Sequence, residues 1–337
     1  MTSAPICGSL RFTPFALAHS AQVQFSRLQP AKAGKDDCLR CISFNHKAGT
    51  MLSRCFANTA EAHGVKLQMM DHANGACHAH ARHVLQVNMV RSPFVMVDSG
   101  YNYHRALTPS LHGRSESWAF IKIPDMSTST RPLFADSAAA YNAWKEWNCS
   151  HLYPRLVTPT SYTGALRRLG EAGALLFESV RALYRNIPSM IHTARLCAEA
   201  AASGLNHSCS NVWMDAVVTN LSEGFRRQLA PSLGLMGSRC VPLESSFVAG
   251  CDPALQSADS AARSHMTDHS ARDARIALLR QLDKSYLDSR LLNAETELLQ
   301  LSQHTHHGHT HSSHMSLSAD VLHCDRSAPC RVRVQEL

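Results

Sequence analysis

The sequence predicts an α/β fold of three layers, a mainly parallel sheet covered by helices on both faces. Three observations carry this. Short apolar runs at Cys41-Ile-Ser-Phe44, Val65 to Met70 and Val84 to Val90 are each closed by turn residues and alternate with helical patterns, as strands joined by crossover helices do. From Ser161 onward Leu166, Leu169, Leu175, Leu176, Val180, Leu183 and Tyr184 recur at three-to-four spacing, the stripe of a helix that buries one side. The chain has 337 residues, 45% of them hydrophobic and 18% charged, a composition that can bury a large core.

The elements follow in order. Cys41 to Phe44 runs into Asn45-His46-Lys47-Ala48-Gly49-Thr50 and then Met51-Leu-Ser-Arg-Cys-Phe56, which reads as strand, glycine turn and helix. Val65 to Met70 ends at Asp71-His72-Ala73-Asn74-Gly75, and Val84 to Val90 at Arg91-Ser92-Pro93. Residues 106–160 are polar and weakly periodic, so long loops are expected there, with a short helix over Ala138 to Trp147; such loops are where substrates are gripped. A helix from Ser161 is followed by one from Pro188 carrying Met190, Ile191, Ala194 and Leu196. Asn211-Val-Trp-Met-Asp215 reads as a last buried strand and Leu221 to Leu233 as a helix after it. Gly237 to Ser264 looks like a linker, and a final amphipathic helix carries Ile276, Leu278, Leu279, Leu282, Leu287, Leu291 and Leu292.

Charge divides the chain into a leader (1–35), one domain (36–303) and a His-rich tail (304–337). Lys and Arg number 33 against 26 Asp and Glu, a formal net charge of +7. Arg11, Arg27, Lys32 and Lys35 lie in the leader with no acid before Asp36, so the rest is only +3 (7 − 4). That excludes a strongly basic body for nucleic acid. The leader suits a plastid or mitochondrial transit peptide or an untargeted flexible N-terminus. No run approaches the roughly 18 apolar residues of a membrane span, and a soluble, cytoplasmic protein is expected unless the leader targets it. The 12 cysteines are scattered, and Cys38-Leu-Arg-Cys41 is a lone CxxC, so reduced structural thiols are expected. His304, His306, His307, His309, His311 and His314 could hold zinc, copper or nickel weakly; the expectation is a solvated tail with no assigned metal.

The turn after the first strand carries the chemistry. A helix N-terminus aims backbone N–H groups at an anion. This is no Walker A loop, because Lys47 precedes the glycine instead of following it. The order Lys47-Ala48-Gly49-Thr50 resembles the phosphosulfate-binding loop of the sulfotransferases, which use 3′-phosphoadenosine 5′-phosphosulfate (PAPS). A second segment, Val90-Arg91-Ser92-Pro93-Phe94 followed by Asp98-Ser99-Gly100-Tyr101-Asn102-Tyr103-His104, is similar to that family's other signature. There a strand ends in Arg and a Ser follows on the next helix, at the separation found here, 99 − 91 = 8. The likeness extends loosely from 41 to about 235, and His46 stands where the family often has Pro.

The resemblance implies a P-loop NTPase-like sulfotransferase fold and a set of roles. Lys47 would neutralise the bridging oxygen of the leaving nucleotide. The N–H groups of Ala48, Gly49, Thr50, Met51 and Leu52, with the Thr50 hydroxyl, would hold the 5′-phosphate, and Arg91 and Ser99 the 3′-phosphate, which an Arg fork fits. In several branches the base is a His after the strand preceding the Arg-bearing one, which is the place of His72; Asp71, Glu61 and His104 are rivals. No metal is required. Tyr101, Tyr103 and Trp118 could line the acceptor pocket or belong to the core, as could Trp144 and Trp147. The expected acceptor is a small hydroxylated molecule; a carbohydrate sulfotransferase or a non-catalytic binder of PAPS or its product are the alternatives.

Overall fold

Four strands, β1 (Cys38–Phe44), β2 (Gln68–Asp71), β3 (His83–Val90) and β4 (His207–Trp213), pair in the order β2-β1-β3-β4, parallel throughout. They come from a computed structural model that describes residues 38–45, 48–71, 83–107, 119–120, 144, 161–184, 186–203, 207–235, 240–251 and 269–310. The helices, numbered along the chain, begin with α1 (Thr50–Ala62), α2 (Pro93–Ala106), α3 (Tyr162–Arg168), α4 (Glu171–Tyr184) and α5 (Asn186–Ala202). There follow α6 (Met214–Thr219), α7 (Leu221–Gly224), α8 (Cys240–Cys251), α9 (His269–Tyr286) and α10 (Arg290–Thr310). After α7 the chain continues through a π-helical turn, Phe225–Leu229, into Ala230–Ser232. No helix among the described residues is long and apolar enough to cross a membrane. The segment expected as one domain divides into two units: a sheet unit (described residues within 38–92, 189–251 and 296–310) and a helical unit (within 93–188 and 269–295).

In the sheet unit, strand alternation sorts side chains onto two unlike faces. Ile42, Phe44, Val87, Met89 and Val212 point into a core with Leu52, Phe56 and Ala60 of α1, Phe225 and Leu229 of the π turn, and Leu243 and Phe247 of α8. Phe56 meets Phe225 and Phe247 edge-on at centroid distances of 5.9 and 5.3 Å, the preferred aromatic geometry. The other face carries a polar row. Ser43, Asn88 and Asn211 are in register across three strands and all three are fully buried. Ser43 Oγ donates to Asn88 Oδ1 (3.0 Å), Asn88 Nδ2 to Asn211 Oδ1 (2.8 Å), and Asn211 Nδ2 to the carbonyls of Ala194 in α5 (2.9 Å) and Leu301 in α10 (3.3 Å). Buried polar groups persist only when satisfied in this way. With helices on both faces, the sheet unit has the three layers that the sequence predicts.

The helical unit is built on α2, α3, α4 and α9. Ser161 caps α3, its Oγ accepting from Gly164 N at 3.1 Å. Its buried residues include Phe94, Tyr101, Trp144, Tyr162, Leu166, Phe177 and Leu282.

Several expectations need correction. The helix expected from Ser161 is two helices, broken at Leu169 and Gly170. The supposed linker 237–264 contains α8, whose Leu243 and Phe247 join the core. Pro242 falls in its first turn, where a missing N–H loses no helical partner. The last amphipathic helix is also two, because Asp288 and Ser289 take positive φ (51° and 56°). Asp283 then accepts from the N–H groups of Leu291 and Leu292, each at 3.0 Å, and so caps α10. The tail expected from 304 starts as helix, since α10 runs to Thr310. The last strand begins at His207, so Met214 and Asp215 are already helical. The thiols are not all reduced: disulfides join Cys55 to Cys251 and Cys197 to Cys209, and Cys41 is disulfide-bonded too. Scattered spacing concealed them because 196 residues separate the first pair. The leader, most of the loops of 106–160 and of the 138–147 helix, and residues 311–337 lie outside the described residues.

Candidate functional site at the C-terminal edge of the sheet

The chain leaves β1 to one side, for β2, and returns past it to β3 on the other. Between β1 and β3 lies the topological switch point, and in open parallel sheets ligands bind outside the carboxyl ends of the strands there. Phe44 is in register with Met89, so the turn after β1 and the residues after β3 emerge side by side. These are the two segments singled out in the sequence.

The turn after β1 is tight. Asn45 is buried (2% exposed); its carbonyl accepts from Ala48 N at 2.9 Å and its Oδ1 from Ser189 Oγ at 2.9 Å. Gly49 is the N-cap of α1, with φ 106° and ψ 10°, a conformation that costs an L side chain strain. A Cβ there would also sit 3.4 Å from Met89 Cβ and Met214 Sδ. The first helical bond of α1 runs from Ser53 N to Gly49 O (2.8 Å). Thr50, Met51 and Leu52 therefore open the helix with N–H groups that have no carbonyl one turn back. Gly49 offers no side-chain cap and no acid stands in the first turn of α1, so neither offsets the helix dipole there. Met51 is 58% exposed, so solvent reaches this end. The expected role of Ala48 needs correction, because its N–H is engaged within the turn. Lys47 lies outside the described residues.

After β3, Arg91 and Ser92 meet a residue that the sequence reading missed. Asp215, in the first turn of α6, accepts from Arg91 Nε through Oδ1 at 3.4 Å and from Ser92 N through Oδ2 at 3.2 Å. Arg91 and Asp215 are partly exposed, at 14% and 19% of their side chains. The available signal was an acid directly after the apolar run Val212-Trp-Met214. Asn45 and Ser189 were missed as well, since nothing local marks two polar residues 144 apart as partners.

The other expected residues scatter. Ser99 is half-buried in the second turn of α2 and belongs to the helical unit. Its neighbours are pinned: Asp98 is ion-paired with Arg275 (2.5 Å), and Gly100 lies against Glu178. Asp71 ends β2 in register with Phe44, at the same edge; His72 lies outside the described residues. Glu61 is exposed near the far end of α1, about 16 Å along the axis from Thr50 at 1.5 Å per residue, too far to serve a reaction at the turn. His104 is fully buried in the helical unit with its Nδ1 3.1 Å from Glu178 Oε2. Glu178 also accepts from Tyr162 Oη (2.6 Å) and Arg181 Nη1 (3.4 Å). Burial alone would raise the Glu178 carboxyl, but His104, Arg181 and Tyr162 outweigh it and hold it below its ordinary value; burial and then Glu178 push the Tyr162 hydroxyl well up. This is a structural network. Tyr101, Tyr103 and Trp144 are core residues, and Trp118 and Trp147 lie outside the described residues.

Comparison with known protein families, with characterised proteins and with solved structures gives no match.

Proposed function

We propose that this protein is a PAPS-dependent sulfotransferase acting on a hydroxyl of a small molecule, with a P-loop-like nucleotide site at the switch point of the sheet. One observation supports the reading: the β1 turn and Arg91, 46 positions apart in sequence (91 − 45), lie at one edge through the parallel β1–β3 pairing. A helix N-terminus opened by a glycine suits a 5′-phosphate, and a guanidinium at a strand end suits a second phosphate. Donors with phosphates at both positions are the ligands such an edge would select.

In the proposed reaction the acceptor oxygen attacks sulfur in line with the departing nucleotide. The new O–S bond forms as the S–O bond to the 5′-phosphate breaks, and the electron pair leaves with the phosphate oxygen. Lys47 neutralises that oxygen, the N–H groups of Thr50, Met51 and Leu52 hold the phosphate, and a base, His72 in this reading, takes the acceptor's proton. Positioning and charge stabilisation supply most of the rate in such loose transfers. The disulfides Cys55–Cys251 and Cys197–Cys209 favour an oxidising compartment over the cytoplasm.

The test is Lys47→Ala with donor binding and turnover measured separately. Turnover should fall about 100- to 1000-fold, as for loss of one transition-state charge stabiliser, while PAPS affinity changes by less than about tenfold. An unchanged rate would overturn the mechanism; binding without turnover on any acceptor in the unmodified protein would leave a nucleotide binder.

A further inference from the structure

The motif that the nucleotide reading leaves unused is the histidine tract, and α10 gives its first part a fixed spacing. His304, His306, His307 and His309 all fall in the last two turns of that helix, which runs to Thr310. Residues three apart on an α-helix are neighbours on one face. The helix therefore makes two pairs, His304 with His307 and His306 with His309. At about 100° per residue the two pairs lie about 160° apart around the axis, on opposite sides. They are two places of two histidines each and not one place of four. His311 and His314 lie outside the described residues and belong to neither pair.

The chemistry of this helix end suits a cation. Imidazole nitrogen is a borderline ligand that takes zinc, copper and nickel in preference to the oxygen-seeking magnesium and calcium. A spacing of three on a helix is one at which residues share a metal in helix bundles. Residues 301–310 contain no Lys or Arg to repel an ion and no Cys, Asp or Glu to compete as ligand. The negative end of the helix dipole adds attraction in the last turn. Thr305, Gly308 and Thr310 are poor helix formers, so this end gains from any ligand that bridges a turn.

We propose that the C-terminal end of α10 is a metal site in which each histidine pair binds one borderline divalent ion, zinc, nickel or copper. Water fills the remaining coordination positions, and binding holds the last two turns helical. The coupling is linkage, since an ion that binds the helical arrangement alone stabilises it. The site is independent of the nucleotide chemistry.

The experiment titrates the full chain with zinc, with magnesium as control, by calorimetry and by amide hydrogen exchange over residues 304–310. At a free zinc concentration ten times Kd, exchange over that segment should slow about tenfold, and magnesium should not slow it. His304→Ala and His306→Ala should each bind one zinc fewer than the parent, and the double variant two fewer. Replacing both His311 and His314 by Ala should remove none. Thr305→Pro keeps every histidine but breaks the helix between His304 and His307, and should weaken both ions at least tenfold. Gly308→Ala favours the helix and should tighten zinc about two- to fivefold. Exchange in β1 and β3 checks that each variant is folded. Unchanged zinc affinity in Thr305→Pro would show that the tract binds as a flexible chain and would overturn the proposal. So would full zinc binding by the double variant, loss of an ion without His311 and His314, or no local slowing of exchange.

Discussion

Two arginine–carboxylate pairs in this chain have the same length and different work. Arg91 to Asp215, at the sheet edge, and Arg181 to Glu178, inside the helical unit, both measure 3.4 Å. The first pair is 14% and 19% exposed, the second 1% and 3%. At the edge, the pair is partly open to water, which screens it more than the interior pair, so it contributes less to stability. In the interior, Glu178 is surrounded by three donors, and removing any charge leaves another buried without compensation. Distance is therefore a poor guide to what an ion pair does; the solvent around it decides.

Breaking the interior network should have the largest effect. Glu178→Ala is expected to cost about 3–5 kcal/mol in urea denaturation, whereas Asp215→Ala should stay within about 1 kcal/mol of the parent. The acid limb sharpens the contrast. Because the folded Glu178 carboxyl lies below its ordinary value of 4.5, its stabilisation is complete above that pH and is lost as the pH falls from there through the folded value. The unmodified protein should lose stability over that interval, and Glu178→Ala should lose less.

The glycines beside the two regions give the next effect. A Cβ at Gly100 would stand 2.4 Å from Glu178 Oε1, so Gly100→Ala should cost about 1–3 kcal/mol through overpacking without a direct change in nucleotide affinity per folded molecule. Gly49→Ala meets only ordinary contacts at 3.4 Å but a φ of 106°. About 1–2 kcal/mol of backbone strain is expected, together with weaker adenosine 3′,5′-bisphosphate binding as the turn relaxes. Equal binding by both variants would show that the turn is not part of the site. The smallest effect belongs to Glu61→Gln: turnover within twofold of the parent would agree with its distance from the turn, and a large loss would place the chemistry elsewhere.

The strands, the glycine turn and most helices were legible because they are local: apolar runs closed by turn residues, and stripes at helical spacing. Lys47, Gly49, Thr50 and Arg91 could be named because each lies within a few residues of a strand end. Boundaries that depend on distant partners were not legible. Leu243 and Phe247 of α8 make a helix worth forming only against α1, and the break at Asp288 is held by Asp283 capping the next helix.

By itself, then, the sequence determined the alternation of strands and helices and the chemical character of the two segments after β1 and β3. Only the tertiary structure decided that those segments share an edge, that Asp215 grips Arg91 there, that Glu61 stands at the far end of α1, and that His104 is buried against Glu178 in the helical unit. The physical reason is that strand order, burial and the partners of a charge are properties of chain segments 40 to 200 residues apart, on the order of the loop separations that folding closes, and no local pattern of residue types records them.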